Sequence, residues 1–76
     1  MKANEAQVKK LIVDICQIDE AKITPTAHLK ETLQMDSLNI ADLMASLEED
    51  FGIEVIQEEA MRIKTFGELM TYIQNH

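Results

Sequence analysis

One cysteine, Cys16, stands among the 76 residues, so no disulfide can close within the chain. A reducing compartment favours that usage, and a cytoplasmic location is the expectation. No apolar run approaches the roughly 20 residues needed to span a bilayer. The opening Met1-Lys2-Ala3-Asn4-Glu5 lacks the apolar stretch of a secretory signal. Positive charge is missing from the middle of the chain. Nine acids lie between Lys30 and Arg62 with no lysine or arginine among them, whereas residues 1–30 hold four acids and five lysines. With a net charge of −7, such a field repels nucleic acid and anionic membranes. It favours fast, salt-sensitive encounters with basic protein surfaces. Histidine is scarce: His28 and His76 are far apart, and neither has metal-ligand spacing to a cysteine or a second histidine. The acids do not follow the alternating pattern of a calcium loop, so no metal site is expected. No nucleophile–base pair is visible, which points away from an enzyme. Cys16 has no basic activator in the sequence and is read as a structural thiol.

What remains is enough to fold. The chain is 46% hydrophobic and clearly periodic, and its length sets one domain over residues 1–76. A chain of this size buries only about 60% of its unfolded surface, so its stability is modest.

Helical period appears in three places. Val8, Leu11, Ile12 and Ile15 form one stripe. Asn4 as N-cap and Gln7 three residues on complete a start signal, giving a helix at about residues 4–17. Ile40, Leu43, Met44, Leu47 and Phe51 form the second stripe. Asp36 or Ser37 caps its start and Gly52 suits its end, giving a helix at about residues 37–51. Phe66, Leu69, Met70 and Ile73 form the third stripe. Thr65 and Glu68 have capping-box spacing, giving a helix at about residues 66–75, with Gly67 a weak residue in its first turn. Glu58, Glu59, Ala60 and Met61 are compatible with a short helix at about 57–62.

Ile53-Glu54-Val55-Ile56 is β-branched but too short to build a sheet. The stretch of about 19 residues between the first two long helices is unusual for a structureless loop. Ile23, Leu29 and Leu33 are the residues that pin it, and Thr24-Pro25-Thr26 marks a turn. The fold class is therefore all-α: a small four-helix bundle, three main helices plus one short one, with a long first loop.

The second helix carries the functional signal. With Ile40 facing the core and each residue turning by roughly 100°, Leu38, Asp42, Ala45 and Glu49 point outward. A leucine directly after a serine on an acidic face has the look of a docking surface. An anion attached to Ser37 would sit at the positive end of the helix dipole. On spacing alone, Ser37 reads as a helix cap.

The ordered set Leu33-Gln34-Met35-Asp36-Ser37-Leu38 and Leu47-Glu48-Glu49-Asp50-Phe51-Gly52-Ile53-Glu54-Val55 resembles the acyl carrier proteins. The resemblance extends from about Val8 to Ile73 and includes Ile23-Thr24-Pro25, Leu29, Ala60, Ile63, Gly67 and Tyr72. It implies that Ser37 carries a 4′-phosphopantetheine arm, installed by a phosphopantetheinyl transferase from coenzyme A with magnesium. It implies acyl cargo held on that arm as thioesters and passed between enzymes of fatty-acid or related synthesis by a monomeric carrier. It also implies that Asp36, Leu38, Asp42, Glu48 and Glu49 face basic patches on acyl-processing enzymes.

Four positions depart from the family's usual residues. Gln34 stands where glycine is usual, which implies a different entry of the loop into the helix. Asn39 replaces an acid, which removes one docking charge. Ile56 stands where proline is common, and Met61 where an acid is common. Two other readings stand beside this one: a specialised carrier of polyketide or aminoacyl cargo, and an acidic helical interaction module in which Ser37 only caps a helix. Met35, Met44, Met61 and Met70 read as core packing, with a pliable interior that opens for an acyl chain as the alternative.

Overall fold

The computed structural model describes residues 4–75; His76 and the first three residues lie outside them. Four helices follow in order: α1 (Glu5–Cys16), α2 (Ser37–Phe51), α3 (Gln57–Ala60) and α4 (Phe66–Gln74). A single 3₁₀ turn, Glu20–Lys22, interrupts the long first connection. Among the described residues there is no strand, only an isolated bridge between His28 and Thr65. The all-α four-helix expectation holds.

Each long helix starts on a reciprocal capping pair: Asn4 with Gln7, Asp36 with Asn39, and Thr65 with Glu68. In each pair one side chain accepts from a backbone N–H of the first turn and the other reaches back to the cap's own N–H. Two helices stop on a left-handed residue. Gly52 ends α2 at φ 65°, and Gln17 ends α1 at φ 58°. The short helix is shorter than the sequence indicated. It covers four residues and its N-cap, Ile56, contributes no side-chain bond. A helix of that length is unstable alone. It is held from outside, by burial of Ala60 and by the Tyr72 hydroxyl, which accepts from the Ile56 N–H at 3.0 Å.

The core gathers Val8 and Ile12 from α1, Leu43 and Leu47 from α2, and Phe66, Leu69 and Ile73 from α4. The long connection supplies the rest of that side: Ile23, Leu29 and Leu33 are buried as expected, and Ala27 and Met35 join them. Of the four methionines read as core, Met35, Met44 and Met70 are buried, but Met61 is 78% exposed. The correction has a simple cause. Ala60 takes the inward place on α3, and the helix ends there, leaving the next side chain to point outward.

The connection is long because it is laid along the start of α4 and tied to it. Gly67 N–H donates to Pro25 O at 2.9 Å, Phe66 N–H to Ala27 O at 2.9 Å, and Leu29 N–H to Lys64 O at 2.8 Å. Pro25 sits second in a turn closed by Ala27 N–H to Thr24 O at 3.0 Å, the position its fixed φ suits. These bonds dispose of backbone groups that an untied loop would leave unpaired.

Gly67 is required by that contact. A Cβ at this position would lie 2.8 Å from the Pro25 carbonyl oxygen, which is backbone and cannot rotate away. Alanine favours an exposed helix interior over glycine by about 1 kcal/mol, so propensity alone would make Gly67→Ala stabilising. The crowding should win, giving a net loss of about 1–3 kcal/mol in urea unfolding. A Gly67→Ala protein as stable as the parent would show that the connection is not held this close.

Candidate functional site

The motif sits where the buried part of the long connection turns into α2. Leu33 and Met35 are buried on either side of Gln34, and Met35 N–H donates to Leu29 O at 2.9 Å. The chain between these anchors must turn sharply. Gln34 does so at φ 57°, in the left-handed region that glycine favours. The residue type expected to alter the entry instead adopts the glycine-like angle, at a cost of roughly 1–2 kcal/mol in local strain.

Asp36 is the cap. Its carboxylate accepts from Asn39 N–H at 2.8 Å, and Asn39 Oδ1 accepts from Asp36 N–H at 3.1 Å. The sequence left the cap open between Asp36 and Ser37, and the bonding assigns it to Asp36. Ser37 is thereby the first helical residue, exposed, with no side-chain bond among the described residues. The N–H groups at the start of a helix have no intrahelical acceptor, so the hydroxyl stands beside uncommitted donors at the positive end of α2. Asn39 has a structural use that its reading as a lost charge did not include: its carboxamide is the second half of the cap.

Past the motif, Leu38 is 70% exposed, and Asp42, Ala45 and Glu49 are exposed with it. Asp36 and Glu48 are exposed too. The side chains named from the sequence are brought onto α2, but not onto one face. Glu48 lies instead on the wall of a groove between α2 and α3.

That groove, about 510 Å³, begins at Ser37. Ser37, Ala41, Ala45 and Glu48 line it from α2, with Ile40 and Met44 behind them. Val55, Ala60, Met61 and Ile63 close the other side. The sequence reading missed Ala41, Val55 and Ile63 as lining residues and placed Ala45 only on the outer face. A second stripe of small side chains, Ser37, Ala41 and Ala45 at i, i+4 and i+8, was the signal available. The opposite wall carries no comparable local signal, because α3 is positioned by Tyr72 from α4.

Cys16, at the end of α1, is half-buried. Burial first, and the Asp36 carboxylate second, push its thiol above the ordinary range. This fits the reading of a structural thiol, and it places the end of α1 within electrostatic reach of the motif. Among the described residues, no group of three or more histidine, cysteine or acidic side chains is placed to hold a metal ion.

Two measurements check this geometry. Because Asp36 holds the cap, Asp36→Ala should cost about 1 kcal/mol. Ser37→Ala should stay within about 0.5 kcal/mol of the parent. Equal losses in urea unfolding would return the cap to Ser37. The second concerns Cys16. A thiol raised on folding adds stability below its unfolded pKa, and that stability is lost as pH rises through the folded one. Asp36→Asn removes the smaller cause and leaves burial, so alkylation of Cys16 at mildly alkaline pH should speed up yet remain slower than in urea. An unchanged rate would separate Cys16 from the motif.

The sequence from residue 6 to residue 73 matches the family model described as the phosphopantetheine attachment site. Domains of that family hold a covalent 4′-phosphopantetheine and meet the enzymes that modify them and process their cargo. They are themselves non-catalytic. With nearly its whole length matched, this chain belongs to the phosphopantetheine-binding carrier domains.

Proposed function

We propose that residues 1–76 act as one carrier domain and that Ser37 is the attachment residue. In this reading the domain carries acyl intermediates between enzymes of fatty-acid or related synthesis. One observation carries the proposal: an exposed serine, relieved of capping by Asp36, lines a largely apolar groove. The residues fit the group. A transferase reaches the hydroxyl without unfolding anything, and the first-turn N–H groups favour a phosphodiester there. The attached group supplies a thiol on which cargo is held as a thioester.

The chain's own residues do the rest. Asp36 and Asn39 fix the start of α2 and hold Ser37 outward. Ile40, Met44, Val55 and Ile63 offer apolar lining beside it, which supports an acyl cargo over a polar aminoacyl one. Asp36, Leu38, Asp42 and Glu49 present a leucine among carboxylates, with Glu48 at the groove edge. That arrangement suits basic patches on a phosphopantetheinyl transferase and on acyl-processing enzymes. The domain works as a monomer and performs no chemistry of its own. No helix among the described residues is long and apolar enough to cross a membrane.

The test is an intact mass after incubation with coenzyme A, magnesium and a broad-specificity phosphopantetheinyl transferase. The parent should gain one phosphopantetheine, and Ser37→Ala should gain none while remaining folded. A folded parent that gains nothing, beside a control carrier that is modified, would favour an acidic interaction module over a carrier.

A further inference from the structure

A second hollow adjoins the groove. It measures about 340 Å³ and is lined by His28, Lys30, Glu31, Met61, Ile63 and Lys64. Lys30, Met61 and Ile63 line both spaces. The two therefore adjoin, the largely apolar groove that Ser37 lines standing next to a hollow with two lysines, a histidine and one glutamate. This is unusual chemistry for the molecule. The whole chain has seven lysines and arginines against fourteen acids. Lys9 is satisfied by Glu5 at 3.1 Å. Among the described residues neither Lys30 nor Lys64 has a carboxylate within ion-pair reach. Glu31, in the same hollow, makes no ion pair with either.

We infer that this carrier accepts an acyl cargo ending in a carboxylate, whose chain lies along the α2–α3 groove and whose charged end is received by Lys30 and Lys64. The inference rests on the carrier reading and names the cargo class for it. The charges are complementary. A largely apolar groove alone would take any acyl chain, but a terminal carboxylate is repelled by the acidic outer face of α2 and attracted to the hollow that both lysines line. The two spaces are neighbours, with Lys30, Met61 and Ile63 common to both. The exposed methionine thereby has a use as a mobile side wall, flexible enough to fit chains of different length.

The experiment compares two cargoes of equal carbon count, a plain acyl chain and its ω-carboxy equivalent. The transferase loads each onto Ser37 from the matching coenzyme A thioester. Intact mass confirms loading, and ¹H–¹⁵N spectra are recorded at low salt. Both cargoes should shift amides of the groove, including Ala41 and Val55. Only the carboxylated one should also shift His28, Glu31 and Lys64. That extra set should vanish in Lys30→Met/Lys64→Met, which still shows the groove shifts, and at 1 M salt, where charges are screened within about 3 Å. Identical shifts from the two cargoes, or an extra set that survives in the double variant, would overturn the inference while leaving the carrier reading intact. Equal shifts from the free diacid added to unloaded protein would overturn the assignment to a tethered cargo. Failure of both cargoes to load, beside a control carrier that loads, would remove the carrier reading and the inference with it.

Discussion

Helix α2 offers a free hydroxyl at its first residue because the residue before it supplies the cap. Serine and aspartate are both good N-caps, and either could have filled the place. Had Ser37 done so, its oxygen would be engaged by a backbone N–H and its side chain turned back over the first turn. With Asp36 in the cap and Asn39 answering it, the serine becomes the first residue of the helix instead of its cap. That shift also fixes rotation. Ser37, Ala41 and Ala45 together line the groove toward α3. A single pair of hydrogen bonds thus sets the start, the exposure and the facing of the residue on which the proposed function depends.

The pair acts only because the chain before it is fixed. Leu33 and Met35 are buried around a left-handed Gln34, and Leu29 is bonded both to Lys64 and to Met35. The connection is in effect an extra packing layer with little helix in it, joined to α4 by backbone bonds. The strain at Gln34, roughly 1–2 kcal/mol, is small against the burial of Leu33 and Met35, each worth about 1.5–3 kcal/mol. Packing therefore decides the backbone angle and the residue type accommodates it.

Much of this was legible in the residues, because much of it is local. The three apolar stripes, the cap pairs of α1 and α4, and Gly52 as a stop all rest on contacts within five positions of each other. The pinning of the long loop was legible too, since Ile23, Leu29 and Leu33 are large apolar residues in a largely polar stretch. The cap of α2 was ambiguous for a physical reason: two adjacent residues are both good caps, and the answering residue is an asparagine, outside the usual glutamate or glutamine pattern. The far wall of the groove was not legible. It depends on Tyr72 reaching Ile56 from another helix, and on α3 ending after Ala60 so that Met61 turns outward. The juxtaposition of Lys30 with Lys64 was invisible for the same reason, since it follows from the bond between Leu29 and Lys64 across the fold.

An anion attached at Ser37 would meet two opposed fields. The start of α2 attracts it by about 0.3–1 kcal/mol at an exposed site. The carboxylate of Asp36, the adjacent residue, repels it by about 1 kcal/mol at 4 Å in water. These terms are equal within their range, so the favourable start of the helix offsets the repulsion from Asp36. In the proposed reading Ser37 is then a covalent tether, and what orders the far end of the cargo lies elsewhere. In the proposed reading the groove and the lysines of the adjoining hollow do so, one by removing apolar surface from water and the other by charge. A carrier has to release its cargo to each partner in turn. A weakly balanced attachment point with modest, separable attractions along the chain meets that need better than one deep site would, because each contact can be given up singly as the cargo is drawn away.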